Sequence, residues 1–167
     1  MGKKKYVAYV GTYTHGSSKG IQVYDVNVEE GTLKERSQVK VSNASYTAIS
    51  KNGKFLYSIE DEGVAVFERD ENGDLTRINS VDIDGMRGCF LATDVDGKYL
   101  YVAGYHDGKV TVVHTHRDGR LGSVMDGVFH KGLGSVAERN FRPHVNCVRP
   151  TPDNKYLCAV DNGLPHN

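Results

Sequence analysis

A unit with a period in the forties recurs along the chain, and this repeat limits the possible folds more than any other feature of the sequence. Each copy contains a strand-like run, a turn with glycine, a second alternating run and then the pattern Gly-x-Leu. The glycines of that pattern are Gly31, Gly73 and Gly119, which lie 42 and 46 residues apart. A period in the forties that divides into four short strands is typical of a β-propeller blade. The sequence therefore predicts an all-β fold built from four-stranded antiparallel blades.

The runs within each unit have the composition of β-strands. GIQVYDV and KVTVVHT alternate and are rich in β-branched residues and tyrosine, which favours strands. FLYSI, YLYVA and YLCAV are short and nearly all apolar. Such runs indicate strands that are buried on both faces, here between neighbouring blades. No stretch of the chain keeps a helical period.

The units differ in the number of strands that they contain. With the strands of a blade labelled A to D from the centre outward, the first unit has B to D, the second and third have all four, and the fourth has A and B. A closed ring needs about four to eight complete blades. We therefore expect a single partial propeller domain over residues 1–167, with about three to four blades present. The expected units cover about 1–42, 43–84, 85–141 and 142–167.

Charge, apolar runs and cysteines indicate which partners and which compartment to expect. Lysine plus arginine equals aspartate plus glutamate at 21 each, which argues against a nucleic-acid-binding protein, because a basic excess would be expected there. No segment approaches the roughly 20 apolar residues of a membrane span, so no membrane partner is expected. The three cysteines, Cys89, Cys147 and Cys158, have no paired or metal-like spacing, which favours reduced thiols in a cytoplasmic protein. Unpaired blade edges favour self-association or a complementary propeller half as partner.

Four segments together resemble the lactonase family of seven-bladed propellers, which includes bacterial 6-phosphogluconolactonases and fungal carboxy-muconate lactonising enzymes. They are YVGTYT with SKGIQVY (9–24), NASYTAIS with FLYSIE (43–60), GKYLYVAGYHDGKVTV (97–112) and RPHVNCVRPTPDNKYLCAVDNG (142–163). The similarity extends over nearly the whole chain, but family members are much longer, so their last blades are missing here. The resemblance implies hydrolysis of a sugar lactone, such as 6-phosphogluconolactone of the pentose phosphate pathway, without a cofactor.

His144 is the candidate catalytic residue. It precedes the A strand of the fourth unit and should face the channel mouth, where the loops entering A strands and leaving B strands converge. Histidine can act as a general base near neutral pH because its unperturbed pKa is about 6.5. The resemblance places a catalytic or substrate-contacting histidine here, within a Pro-His-x-His pattern in which Asn146 replaces the second histidine. Positions 144 and 146 share a strand face, so either could contact substrate, and a histidine that only caps a strand or bonds a carbonyl is the alternative.

Polar residues at equivalent positions of the other units are candidate substrate-binding groups. Arg87 and Arg142 each precede an A strand, and arginine binds carboxylate or phosphate through paired hydrogen bonds. The residues that follow B strands could line the same mouth. They are Glu60, Tyr105, His106 and Asp161. For each of these groups the alternative is a solvated charge or a turn residue.

Two further readings of the sequence remain open. His114 and His116 lie on one strand face, where two histidines can share a metal, but no third ligand is evident nearby and no metal site is expected. The chain as a whole could also be a non-catalytic propeller scaffold or binding module, or an inactive fragment. Asn146 and the missing blades favour that alternative, because a propeller site draws residues from the whole ring.

Overall fold

The computed structural model describes residues 5–134 and 141–163, and this part of the chain consists of thirteen β-strands without a helix. The strands form four antiparallel sheets. Because the described residues contain no helix, none of them forms a helical membrane span.

The four sheets follow one another in chain order. The first has the order β1-β2-β3, with β1 (Tyr6–Gly11), β2 (Gly20–Asn27) and β3 (Thr32–Lys40). The second consists of β4 (Thr47–Ile49), β5 (Phe55–Glu60), β6 (Gly63–Arg69) and β7 (Leu75–Asp82). The third consists of β8 (Phe90–Thr93), β9 (Tyr99–Gly104), β10 (Lys109–Thr115) and β11 (Leu121–Phe129). The fourth pairs β12 (Val145–Pro150) with β13 (Leu157–Asp161).

These sheets confirm the predicted all-β partial propeller of four-stranded antiparallel blades. Two sheets have four strands, one has three and one has two. In the complete blades each strand pairs with the next along the chain, as consecutive hairpins do. The innermost strand β8 contacts both β4 and β12, so these three strands lie side by side and form one wall of the central channel.

In two of its three copies the Gly-x-Leu pattern has a structural reason that concerns neighbouring blades, whereas Gly31 has a positive φ but no neighbour within 4 Å. Gly73 and Gly119 both have positive φ, at 83° and 86°, in the turn before the outermost strand. A Cβ on Gly119 would lie 2.2 Å from the Phe55 ring of the preceding blade. A Cβ on Gly73 would likewise lie 2.9 Å from the Tyr9 hydroxyl. Glycine is therefore needed both for the backbone conformation and for the close approach of the blades.

The apolar core lies between adjacent blades. The main cluster joins the second and third sheets and includes Ile59, Leu91 and Leu100. A second cluster joins the first and second sheets around Phe67, and a third joins the third and fourth around Val148. Every residue of the FLYSI run is buried, as its composition predicts.

The YLCAV run differs from the prediction of a strand that is buried on both faces. In β13, Leu157 is 39% exposed and Val160 is 50% exposed. The prediction was wrong for this run because β13 pairs only with β12, and no further strand lies beyond it in the described part of the chain. The composition of a strand indicates whether its side chains can be buried. How far they are buried depends on which strands pack against it.

Candidate functional site

His144 lies in the loop that leads into β12, against the turn between β9 and β10. Its side chain is only 5% exposed. The Nδ1 of its imidazole is 2.7 Å from the carbonyl oxygen of Tyr105, and the two rings stack with their centroids 4.4 Å apart. A carbonyl can only accept a hydrogen bond, so Nδ1 carries the proton. In neutral His144 the lone pair is therefore on Nε2.

The Nε2 atom of His144 is free for chemistry. It has no hydrogen-bond partner within residues 5–134 and 141–163, and it is not among the fully buried side-chain atoms. A histidine whose tautomer is set by one hydrogen bond, and whose other nitrogen carries an open lone pair, has the form of a general base. The hydrogen bond to a carbonyl is the contact that the non-catalytic alternative for His144 predicts, and the unpaired Nε2 belongs to the residue directly before the innermost strand of the fourth sheet.

Asp161 holds the backbone around His144. Its Oδ1 accepts hydrogen bonds from the amides of His144 at 2.9 Å and Gly163 at 2.8 Å. Its Oδ2 is 2.8 Å from Nδ1 of His130, which comes directly after β11. Burial disfavours the charged carboxylate, but these hydrogen bonds outweigh it, and the pKa of Asp161 lies below its usual value. Asp161 is thus an ionised anchor that ties the third sheet to the His144 loop.

Two glycines allow this loop to approach its neighbours closely. A Cβ on Gly163 would lie 1.8 Å from the carbonyl oxygen of Arg142 and 3.1 Å from Cδ2 of His144. Gly108 has a φ of 64°, and a Cβ there would meet Pro143 at 2.7 Å. Any larger residue at Gly163 or Gly108 would push Pro143 and His144 away from their present positions.

Arg87 belongs to a second polar cluster, on the loop before β8. Its Nη1 is 3.0 Å from Oδ1 of Asp61, and its guanidinium lies 5.0 Å from the centre of the Tyr13 ring. Asn43 donates a 2.8 Å hydrogen bond to the same Asp61 oxygen. The hydrogen bond from Asn43, with a further contribution from Arg87, holds the pKa of Asp61 below its usual value. Arg87 is thus already paired with a carboxylate that the sequence did not single out.

The other candidate residues have separate environments. Glu60 lies at the end of β5 and receives two hydrogen bonds from Nη2 of Arg77, at 2.9 and 3.1 Å, across its own sheet. The guanidinium of Arg142 lies over the Phe141 ring at 5.6 Å. His106 meets the Tyr105 ring edge-on at 5.6 Å. Asn146 is exposed on β12, one position after the first residue of that strand.

The predicted site residues therefore fall into different groups. His144, Tyr105 and Asp161 form one connected arrangement, and His106 adjoins it through Tyr105. Glu60 and Arg87 make their contacts elsewhere. His130, Asn43 and Asp61 were missed by sequence reasoning, because their contacts join residues far apart in the chain.

The channel wall carries one more polar group that the sequence reasoning missed. Tyr46 and Phe90, at or just before the starts of β4 and β8, contact each other with ring centroids 4.6 Å apart. The guanidinium of Arg149, on β12, lies 5.6 Å from the centre of the Phe90 ring. A cavity of about 370 Å³ runs along the innermost strands beside Arg149. The available signal was the position of Arg149 within the predicted innermost strand HVNCVRP.

No metal centre is evident in the part of the chain that the structure describes. The rings of His114 and His116 meet edge-on at 4.7 Å, as the strand spacing suggested. Within that part, however, no three His, Cys, Asp or Glu side chains come together in a way that could hold a metal ion.

The fold is a partial propeller in which His144 and its contacts lie directly before an innermost strand. Comparison with known proteins identifies the family. The sequence matches the family described as "Lactonase, 7-bladed beta-propeller" over residues 7–165. The chain therefore belongs to the lactonase family of seven-bladed β-propellers.

Relatives and solved structures agree on the family and on the extent of the match. The chain is 39% identical to the 6-phosphogluconolactonase of Bacillus subtilis, over 96% of this chain and 47% of that protein. A putative 6-phosphogluconolactonase from Bacteroides fragilis superposes with a TM-score of 0.90 at 39% identity, over 97% of this chain and 47% of the other. The periplasmic gluconolactonase of Pseudomonas aeruginosa superposes with a TM-score of 0.88 at 30% identity, over 96% of this chain and 48% of that one. The chain thus spans about half the length of the relatives it matches.

Proposed function

We propose that this chain contributes part of the active site of a lactone hydrolase that acts on a sugar lactone, such as 6-phosphogluconolactone. The observation that carries the proposal is His144, whose Nδ1 donates to the Tyr105 carbonyl while Nε2 keeps its lone pair. The family and the relatives named 6-phosphogluconolactonase support the substrate class. Such an activity would belong to carbohydrate metabolism, in the pentose phosphate pathway, and would need no cofactor.

The proposed reaction uses His144 as a general base. Nε2 accepts a proton from a water molecule as the water oxygen attacks the lactone carbonyl carbon and the carbonyl electrons move to oxygen. Collapse of this intermediate breaks the ring C–O bond, and the imidazolium returns its proton to the departing oxygen. One water is consumed and one hydroxy acid is formed. Stacking on Tyr105 and the hydrogen bond at Nδ1 hold the ring in one orientation throughout.

Other residues near His144 have supporting parts in this proposal. Asp161 accepts a hydrogen bond from the backbone amide of His144. This bond fixes the backbone that carries the imidazole ring. Arg142, His106 and Asn146 flank the same loop or strand and are proposed substrate contacts. Arg87 and Glu60 are weaker candidates for direct contact, because Asp61 and Arg77 already bind their charged groups.

The test of this function is a direct assay of lactone opening. Acid release from 6-phosphogluconolactone should exceed the spontaneous rate, which is measured without protein and subtracted. Acid release at the spontaneous rate alone would favour the alternative of a non-catalytic scaffold or inactive fragment.

We further propose that the edge of β13 pairs with another strand, supplied by a second copy or by a complementary propeller half. In the described part of the chain β13 has a partner on one side only, and Leu157 and Val160 are exposed on it. Open strand edges seek partners. Light scattering on the 167-residue chain should therefore show a dimer or a larger assembly. A monomer that melts cooperatively would count against this.

The proposed compartment is the cytoplasm. The three cysteines are free thiols, which suits a reducing environment. The related gluconolactonase of Pseudomonas aeruginosa is periplasmic, so the compartment is a property to be tested for this protein itself.

A further inference from the structure

His130 is bonded to both of the supports that hold His144. The first support is Asp161, whose carboxylate accepts a hydrogen bond from the backbone amide of His144. The second is the turn between β9 and β10, where the Tyr105 carbonyl accepts a hydrogen bond from Nδ1 of the His144 imidazole. His130 directly follows β11, and it reaches the first support through its side chain and the second through its backbone.

The side-chain contact joins His130 to Asp161. Nδ1 of His130 lies 2.8 Å from Oδ2 of Asp161, and the two side chains are 23% and 8% exposed. Oδ1 of the same carboxylate accepts hydrogen bonds from the amides of His144 and Gly163. In residues 5–134 and 141–163, His130 is the only group that bonds Oδ2. An ionised carboxylate only accepts hydrogen bonds, so Nδ1 of His130 donates and holds the second oxygen of the carboxylate.

The backbone contact joins His130 to the turn that carries Tyr105. The His130 amide donates a 2.9 Å hydrogen bond to the carbonyl oxygen of Gly108. Gly108 packs against Pro143, the residue before His144, since a Cβ on Gly108 would lie 2.7 Å from the proline ring. Because this contact uses a backbone amide, it remains when only the side chain at position 130 is changed.

We propose that His130 is a positioning residue for His144 and acts through Asp161. Tyr105 orients the ring of His144 and Asp161 fixes its backbone, so the loop keeps one conformation only while the carboxylate is itself held. The effect on the rate rests on the proposed function, in which a general base must lie within hydrogen-bond reach of the attacking water. A displacement of about 1 Å can slow such a reaction on the order of 100-fold.

The first test is lactone opening by variants of position 130 in the full-length protein, at equal concentrations of folded enzyme. His130→Ala should lower kcat by about tenfold and leave KM unchanged, because a lost hydrogen bond to a charged group here affects the base and not substrate binding. His130→Asn should restore most of the rate. Its amide nitrogen is attached to Cγ, as Nδ1 is, and can donate to the same carboxylate oxygen.

A double variant tests whether His130 acts through Asp161. Asp161→Ala should lower kcat at least as much as His130→Ala, because it removes the bond to the His144 amide as well. Adding His130→Ala to Asp161→Ala should change the rate no further, and effects that add would mean that His130 acts by another route. His116→Ala is the matched control. His116 lies before the other end of β11, and its loss should leave kcat unchanged.

Hydrogen exchange of backbone amides, measured by NMR without substrate, separates this inference from the proposed function. In His130→Ala the amide of His144 should exchange about tenfold faster. The amide of Tyr99, which donates to the Asp94 carboxylate in another turn, should keep its rate. Unchanged exchange at His144, or an unchanged kcat in folded His130→Ala protein, would overturn the inference. Faster exchange in a protein that opens no lactone would refute the hydrolase and leave the role of His130 in holding the loop standing.

Discussion

Replacing His144 with alanine in the full-length protein is expected to slow lactone hydrolysis by about 100-fold or more, the usual scale for loss of a general base. The physical reason is the loss of the Nε2 lone pair. The measurement is the rate of acid release at saturating lactone, corrected for spontaneous opening.

Two further variants make the outcome interpretable. His144→Asn keeps an amide N–H that can donate to the Tyr105 carbonyl, so it preserves this hydrogen bond but lacks the base, and it should be as slow as the alanine variant. His116 lies in the turn between β10 and β11, on the outer side of the blade, and His116→Ala should leave the rate unchanged. Full activity in a folded His144→Ala protein would make His144 a strand-start residue with no part in the chemistry. Equal losses in His144→Ala and His116→Ala would lead to the same conclusion.

The second large effect is expected in the core between the second and third sheets. Leu100→Ala should lower the free energy of unfolding by about 2–5 kcal/mol, because it removes a fully buried side chain and leaves a cavity. The measurement is the urea midpoint of unfolding, followed by circular dichroism. The loss of stability is largest where the surrounding residues cannot move in to fill the cavity. Leu100 belongs to a buried cluster that contains residues of both sheets.

Leu133→Ala is the matched control for this prediction. Leu133 is 83% exposed, so the same chemical change should alter the free energy of unfolding by about 0.5 kcal/mol or less. A loss at Leu100 as small as that at Leu133 would mean that the packing between these two sheets does not support the fold.

The histidine site was only partly predictable from the sequence. The position of His144 before an innermost strand followed from the repeat, because the repeat assigns each segment a place in a blade. Its tautomer did not follow, since it depends on the carbonyl of Tyr105, 39 positions away in the chain. The same holds for Arg87, which the sequence offered as a free anion binder and the structure pairs with Asp61, 26 positions away.

The strands and their order could be predicted from local sequence. These depend on local properties: alternation, apolar runs, and glycines such as Gly119 in turns that need a positive φ. Which polar groups meet and which strands are covered depends on contacts between blades. Asp161 became an anchor for His144, Arg149 was left unpaired in the channel, and the apolar β13 stayed exposed. The physical reason is that the residue pattern of a strand reflects only the alternation of its own side chains. Contacts between polar groups, and burial, depend on side chains from other blades.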